Sequence, residues 1–215
     1  MYPSPTSHER LADGIVHLIG VLAALAGCLS LVLFTAAKYD TPLIAACAVY
    51  AISMTASFTI SASYHLLPHH HWRGALRRMD HAAIYALIAG TFTPLLVLID
   101  TATAYTILIA VWVLAVPAML YKIFGDTIEP RWSLASYIGL GLVGIFALPD
   151  FASALPMAAL IAVFAGGFFY CFGTMFYRKA GLPFRYSIWH FFVLLGTVSF
   201  FMAIWVSLFE PGLMA

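Results

Sequence analysis

The hydrophobic and polar positions divide the chain into seven long apolar stretches, separated by short segments that contain proline, glycine and charged residues. We place the stretches near residues 14–37, 43–67, 79–99, 103–124, 132–149, 153–176 and 184–209. Each is close to the about 17–25 residues with which an α-helix crosses the hydrocarbon core of a bilayer. The stretches are continuous and do not alternate apolar with polar residues, which excludes the strands of a membrane β-barrel. The pattern therefore predicts an all-α, polytopic membrane protein in which residues 1–215 form a single seven-transmembrane helix bundle.

The composition of the 215-residue chain agrees with this prediction. Hydrophobic residues make up 63% and charged residues 9%, whereas a soluble domain has about 45–50% and about 25%. The chain thus has too little charge to cover a soluble surface and too many apolar side chains to be disordered. Its formal net charge of +1 argues against a nucleic-acid partner, because such proteins carry strongly basic surfaces. The partner that the composition predicts is membrane lipid.

The basic residues predict how the bundle is oriented. Only Lys38 of the ten Lys and Arg residues falls on the side opposite the N-terminus. The other nine are Arg10, Arg73, Arg77, Arg78, Lys122, Arg131, Arg178, Lys179 and Arg185. Short cytoplasmic loops are enriched in basic residues, so we expect a cytoplasmic N-terminus and, with seven spans, a C-terminus outside. The polar N-terminal segment holds both acids and bases, unlike a cleavable signal peptide, and we expect the first span to be retained.

Polar residues of four different stretches fall at one depth of the bundle. At about 1.5 Å of rise per residue, each lies within roughly 10 Å of the predicted cytoplasmic interface. These residues are Asp13 and His17 in the first stretch, Ser61 and His65 in the second, Asp80 and His81 in the third, and His190 in the seventh. Ionisable groups are costly inside a membrane and mark functional sites there. The one-sided distribution therefore indicates a functional site near the cytoplasmic face.

The spacing and chemistry of these residues suit a metal ion. Pairs four residues apart, such as Ser61 and His65, share one helix face. Imidazole and carboxylate groups are ligands that suit zinc, and His65, His190 and Asp80 would form a two-histidine, one-carboxylate set. Such a set leaves a fourth position for water, whose pKa zinc lowers to about 7. The sequence leaves open whether the three residues meet, and the alternative is that their polar ends reach the lipid headgroups.

Four short motifs carry the candidate residues. They are Glu9-x3-Asp13-x3-His17 near the start, Ser61-x3-His65 at the end of the second stretch, Arg78-Met79-Asp80-His81-x2-Ile84-Tyr85 at the start of the third, and Ile188-Trp189-His190 with Gly196 in the seventh. In order, spacing and membrane depth, these motifs resemble those of the hemolysin III proteins, the bacterial branch of the progestin and adiponectin receptor-like (PAQR) family. The resemblance covers essentially the whole chain.

The resemblance implies a multi-pass protein of the bacterial inner (cytoplasmic) membrane, with seven transmembrane helices and the N-terminus inside. It also implies a zinc site facing the cytoplasm, made by a histidine of the second span and a His-x3-His pair of the seventh, with an aspartate and a serine close by. The corresponding residues of this chain are His65, His190, Asp80 and Ser61, with Asp80 and Ser61 in catalytic roles. We expect supporting roles for Asp13, His17, His81 and Tyr186.

The chain departs from the family pattern at the site itself. The first histidine of the pair falls on Tyr186, and the asparagine usual in the first motif is Asp13. Three arrangements are open: Asp80 binds the metal directly, a nearby histidine such as His17 or His81 replaces the missing one, or the site holds no metal. Coordination by Tyr186 itself is less favoured, because its phenol has a pKa near 10. We favour direct coordination by Asp80.

Three functions are compatible with these features. The first is a zinc-dependent hydrolase of a lipid amide or ester, in which Asp80 orients or deprotonates a water molecule and Ser61 hydrogen-bonds to it. The second is a non-enzymatic protein of membrane homeostasis or sensing, with a structural metal or none. The third is a pore-forming cytolysin, which the apolar outer half of the bundle disfavours, because a water-filled channel needs polar residues along its length.

Overall fold

The computed structural model describes residues 3–67, 71–125 and 130–209. Within these ranges the chain forms eight α-helices and no β-strand. The helices are α1 (Ser7–Lys38), α2 (Thr41–Leu66), α3 (Arg73–Ile99), α4 (Ala102–Phe124), α5 (Pro130–Leu142), α6 (Leu148–Ala154), α7 (Met157–Tyr177) and α8 (Arg185–Phe209). A 3₁₀ turn over Val143–Ala147 joins α5 to α6. The prediction of an all-α fold is confirmed.

Seven segments of this described part are long and apolar enough to cross a membrane. Six of them are the single helices α1 to α4, α7 and α8, and the fifth along the chain, Trp132–Ala154, combines α5, the 3₁₀ turn and α6. The prediction of seven spans is confirmed. The side of the membrane on which each terminus lies stays a prediction. Residues 68–70 and 126–129, in the segments that follow the second and fourth stretches, lie outside the described ranges. The segment before the third predicted stretch is partly helical, because α3 begins at Arg73 and not at residue 79.

Helix α1 begins at Ser7, about two turns before the predicted start at residue 14. The Thr6 hydroxyl accepts a hydrogen bond from the Glu9 backbone N–H at 3.2 Å, and the Glu9 carboxylate accepts one from the Thr6 N–H at 3.1 Å. This reciprocal capping box satisfies N–H groups that have no partner within the helix. The apolar pattern does not predict these turns, because they contain the polar residues Glu9 and Asp13, which are nevertheless buried in the bundle.

The fifth segment runs on to Ala154, beyond its predicted end at residue 149. The predicted stretches leave a break at residues 150–152, but these residues lie in α6, and Pro149 lies in its first turn. Proline is tolerated there because the first N–H groups of a helix lack intrahelical partners. The break between the fifth and sixth segments falls instead at Leu155 and Pro156, immediately before α7.

Helix α3 lies at the centre of the bundle. It packs against α2, α4, α5, α6 and α8. Within its most apolar stretch 61% of the residues are buried, against 17–44% for the other segments. The pairs α1–α2 and α7–α8 pack along their lengths, and α1 also packs against α8. The first and last helices therefore lie side by side, and the Phe184 N–H that precedes α8 donates to the Glu9 carboxylate of α1 at 3.0 Å.

The first three turns of helix α1 are polar inside and apolar outside, the reverse of a surface helix in a soluble protein. Its buried face begins with Glu9, Asp13 and His17, each four residues after the previous one. Its exposed face carries large apolar side chains such as Leu18 and Leu22. An apolar outer face needs no burial when lipid tails surround it, so the helix turns its ionisable residues toward the other helices.

Gly20 allows α1 and α2 to approach closely beside this polar face. A Cβ atom at residue 20 would lie 2.5 Å from the Phe58 ring, so only glycine leaves room for the ring in this position. About one turn away on each helix, His17 Nε2 lies 3.3 Å from Ser61 Oγ. The contact of Gly20 with Phe58 therefore helps to set the distance at which polar groups of α1 and α2 meet.

Candidate functional site

A buried aspartate–histidine cluster joins three helices near the start of α1. Its members are Asp13 and His17 of α1, His65 of α2 and His190 of α8. One potential ligand atom from each residue lies within 4.8 Å of those from the other three. Asp13, His17 and His65 are buried, and His190 is half-buried. Within the described ranges, this is the group of histidine and acidic side chains whose geometry can hold a metal ion.

Asp13 contacts all three histidines of the cluster. Its Oδ2 atom lies 2.8 Å from His65 Nδ1, and its Oδ1 atom lies 3.0 Å from His190 Nδ1. Its backbone carbonyl lies 2.7 Å from His17 Nδ1. Carboxylate and carbonyl oxygens only accept hydrogen bonds, so each Nδ1 donates and each Nε2 keeps a lone pair that can bind a metal. The Ser4 hydroxyl adds a further hydrogen bond to Oδ2 at 3.1 Å.

The three imidazole rings pack closely against one another. The centroid of His190 lies 4.3 Å from that of His17 and 4.5 Å from that of His65, and the His17 and His65 centroids are 5.0 Å apart. A metal ion often holds histidines whose second nitrogen donates to a carboxylate or a carbonyl, because that bond fixes the tautomer and the ring orientation. The contacts of Asp13 match this arrangement for all three rings.

Two cavities meet beside the cluster. The larger, of about 470 Å³, has mostly apolar walls, among them Leu95, Phe151 and Phe168, and it also reaches His17 and His190. The smaller, of about 220 Å³, is lined by polar side chains such as those of Tyr64, Arg77 and Tyr177, and it reaches His65 and His190. The cavities share a wall that includes Asp80, Tyr137 and His190. Asp13 lines neither of the two, so the histidines lie between Asp13 and the cavities.

The predicted site residues occupy different places around this junction. Ser61 lines the larger cavity and contacts His17. Asp80 lies in the wall of both cavities and is not a member of the four-residue cluster that the described residues form. His81 Nδ1 lies 3.3 Å from the hydroxyl of Tyr137, which donates to the His81 carbonyl at 3.0 Å. Of the two histidines named as replacements, His17 thus lies in the cluster and His81 does not.

Tyr186 occupies the position of the histidine that the family pattern leads us to expect. Its ring lies 5.5 Å from that of His65, and it lines the smaller cavity with His65 and His190. Its hydroxyl accepts a hydrogen bond from the Arg185 guanidinium at 2.7 Å. The phenol is therefore beside the cluster and is engaged by a cation outside it.

Sequence reasoning gave Asp13 a supporting role and assigned no role to Ser4 or Tyr137. The four-residue spacing of Asp13 and His17 showed that they share a helix face, but the spacing did not show that this face meets α8. Ser4 precedes the first helix and carries no pattern that predicts its contact with Asp13. Tyr137 lies in α5, where only the folded bundle brings it to His81.

Comparisons with known proteins agree with the motifs. The sequence model of the family described as Haemolysin-III related matches residues 6–201. The chain is 34% identical over 203 residues to the Hemolysin-3 homolog of Bacillus subtilis (strain 168), covering 93% of this chain and 94% of that protein. It is 31% identical over 197 residues to Hemolysin-3 of Bacillus cereus, covering 91% and 90% of the two chains.

A more distant relative comes from animals. The chain is 25% identical over 216 residues to the human Monocyte to macrophage differentiation factor, covering 96% of this chain and 87% of that protein. With the two bacterial relatives, this match confirms the resemblance to hemolysin III proteins and to the wider PAQR family.

Proposed function

We propose, from the premise that this chain belongs to the Haemolysin-III related family of multi-pass membrane proteins, that it is a zinc-dependent hydrolase of a lipid amide or ester. The observation that carries the proposal is the position of the cluster. His17 and His190 line a largely apolar cavity of about 470 Å³ inside a membrane-spanning bundle. A metal site in contact with such a cavity is placed to act on a lipid.

The chemistry of the cluster fits zinc. Imidazole nitrogen and carboxylate oxygen are both zinc ligands, and the four donors lie within 4.8 Å of one another. Zinc, when bound at such a site, polarises a carbonyl group and lowers the pKa of a coordinated water to about 7. The near-complete burial of Asp13, at 1% exposed, and of His17, at 2%, keeps competing ligands of the solvent away.

The two cavities match the two parts of a lipid. The apolar cavity offers an acyl chain the walls formed by residues such as Leu95 and Phe168, and its volume falls within the about 300–1,000 Å³ of small-molecule sites. The smaller cavity offers hydroxyl groups and Arg77 to a headgroup or a leaving group. The shared wall at Asp80 and His190 is where the bond between the two parts would lie.

Asp80, which lines both cavities, transfers protons in the proposed reaction. In the hydrolysis of an amide or ester, water oxygen bonds to the carbonyl carbon, and the bond from that carbon to nitrogen or oxygen breaks. Asp80 accepts the proton that the water loses and returns it to the departing amine or alcohol, as a general base and then a general acid. Ser61, which lines the larger cavity, hydrogen-bonds to the attacking water. If the predicted orientation is correct, the reaction takes place near the cytoplasmic face.

Metal analysis combined with a lipid assay tests this proposal. We would purify the full chain in detergent, measure bound zinc by mass spectrometry, and follow the release of fatty acid from N-acyl amides and acyl esters. We expect one zinc per chain and a hydrolysis rate that falls at least about 100-fold in Asp80→Asn, which loses the general base. His8→Ala, at an exposed position of α1, is the matched control and should behave like the unmodified chain. Zinc well below one per chain, or hydrolysis that a chelator leaves unchanged, would contradict the proposal.

A second candidate is a non-enzymatic membrane protein with a structural metal. The observation that favours it is the number of donors, since structural zinc sites usually have four protein ligands and the cluster offers four. On this alternative, His65→Ala would lower the melting temperature, and no lipid in the panel would be hydrolysed by the zinc-loaded protein.

A further inference from the structure

We infer that His17 is a zinc ligand, the third imidazole beside His65 and His190, and that it replaces the ligand that α8 lacks at Tyr186. The inference rests on the proposed zinc site and specifies which side chains hold the ion. It assigns the carboxylate of Asp13 a different task, which is to hold the three rings in position from behind.

Asp13 determines which nitrogen of each histidine ring remains available to a metal. All three Nδ1 atoms lie within 3.0 Å of an oxygen atom of Asp13, at 2.7 Å for His17, 2.8 Å for His65 and 3.0 Å for His190. Since each Nδ1 donates to an oxygen that can only accept, each ring has Nε2 left for a metal. One residue therefore sets the same tautomer in three side chains.

The two cavities are bordered by the histidines and not by Asp13. His17 and His190 line the apolar cavity, His65 and His190 line the polar one, and Asp13 lines neither. An ion held on the cavity side of the rings meets imidazole nitrogens and has Asp13 behind them. Three histidines with a fourth, open position toward a cavity form the arrangement of a catalytic zinc site.

Helix α8 has Tyr186 where the family pattern has a histidine. Tyr186 lies one helical turn before His190 on α8 and beside the ring of His65, with centroids 5.5 Å apart. Its hydroxyl is engaged by Arg185. His17, by contrast, has its ring 4.3 Å from that of His190 and 5.0 Å from that of His65. Helix α1 thus supplies the third imidazole that α8 does not.

His17 also contacts Ser61 of α2. His17 Nε2 lies 3.3 Å from Ser61 Oγ, and its lone pair can accept one hydrogen bond or bind one ion. Zinc bound at Nε2 would displace the Ser61 hydroxyl, which could then hydrogen-bond to a water molecule near the ion. The interpretation that His17 merely orients Ser61 makes a different prediction, because Ser61→Ala would then reproduce every effect of changing His17.

Zinc affinity and zinc absorption spectroscopy test the inference. The full chain, in detergent, would be titrated with zinc against a competing chelator as unmodified protein, His17→Gln, the double variant His17→Gln/Tyr186→His, Asp13→Asn, Ser61→Ala and His81→Gln. Loss of a hydrogen-bond partner of a metal ligand weakens metal binding by about 10–100-fold. We expect Asp13→Asn to weaken zinc binding within this range and His17→Gln to weaken it by more. The double variant should recover most of the loss. Ser61→Ala should weaken binding less than His17→Gln does, and His81→Gln, outside the four-residue cluster, should keep the affinity of the unmodified chain.

X-ray absorption at the zinc edge gives a readout that is independent of affinity, because it reports the ligands of the ion directly. We expect three imidazoles around zinc in the unmodified chain and two in His17→Gln. Two imidazoles in the unmodified chain, unchanged affinity in His17→Gln, or no recovery in the double variant would overturn the inference. An unmodified chain that binds no zinc overturns both the inference and the proposed function, whereas zinc held by His17 without any lipid hydrolysis overturns the proposed function alone.

Discussion

The rings of His17 on α1 and His190 on α8 meet edge to face, with centroids 4.3 Å apart. Both rings turn Nδ1 toward atoms of Asp13, His17 to the backbone carbonyl and His190 to the carboxylate. At this end of the bundle the first and last helices are therefore joined by polar contacts, which an ion would reinforce and which individual substitutions can remove.

Removal of the proposed zinc ion is expected to lower the thermal stability of the protein. A ligand that binds only the folded state stabilises it by about 2.7 kcal/mol when its free concentration is about 100 times Kd. We expect the melting temperature in detergent, followed by tryptophan fluorescence, to fall with a strong chelator and to return when zinc is added. A variant with both His65→Ala and His190→Ala should show no response to the chelator. An unmodified chain whose melting temperature ignores the chelator would contradict the prediction.

A side chain at Gly167 is expected to obstruct the apolar cavity and to leave the metal in place. Gly167 lines that cavity, and a Cβ atom there meets no other atom within 4 Å. Gly167→Leu should therefore fold and slow the hydrolysis of long-chain lipids more than that of short-chain ones. Gly139→Leu is the matched control, because Gly139 has equally open surroundings but does not line the cavity. Equal rates for the two variants would refute this use of the cavity.

The capping box of α1 is expected to contribute to stability through two different contacts. Thr6→Ala removes the side-chain cap, which costs about 0.5–2 kcal/mol. Glu9→Ala should lower the melting temperature further, because the Glu9 carboxylate also accepts from the Phe184 N–H before α8. Ser7→Ala, at an exposed position, serves as the control. If Glu9→Ala were no more harmful than Thr6→Ala, the contact with residue 184 would contribute nothing.

A larger residue at Gly20 is expected to force α1 and α2 apart. The Cβ atom of any other residue would lie 2.5 Å from the Phe58 ring, and overpacking of this kind costs about 1–3 kcal/mol. Gly20→Leu should therefore lower both the melting temperature and the zinc affinity, since His17 lies one turn away. Adding Phe58→Ala should restore part of both quantities. Gly74→Leu, where a Cβ atom meets nothing within 4 Å, should change neither.

The orientation predicted from the basic residues can be tested by labelling single cysteines. In a chain with Cys28, Cys47 and Cys171 replaced by alanine, we expect His8→Cys to react with a membrane-impermeant reagent only in inside-out vesicles. Asp40→Cys should react only from the outside of intact cells. Both positions are exposed, so labelling in the opposite pattern would show that the N-terminus is outside.

The sequence by itself determined the helical class, the number of spans and a set of candidate residues that includes the four members of the cluster. Long apolar stretches without alternation cross a bilayer as α-helices, because the backbone polar groups then bond within their own helix. The start of α1 was not predicted correctly, because the apolar pattern shows neither the capping box at Thr6 and Glu9 nor the burial of Asp13.

Only the tertiary structure decided which of the candidate residues meet. Asp80 was the expected carboxylate among the histidines, yet it lies in the cavity wall, and Asp13 lies among them instead. His17 and His81 were equivalent candidates, and the packing of α1 against α8 brought only His17 to His190. Spacing along a helix fixes which residues share a face, but the rotation of that face depends on contacts between helices such as that of Gly20 with Phe58. Those contacts join residues far apart in the chain. For this reason the sequence predicted which residues were candidates, whereas only the folded bundle showed which of them lie together.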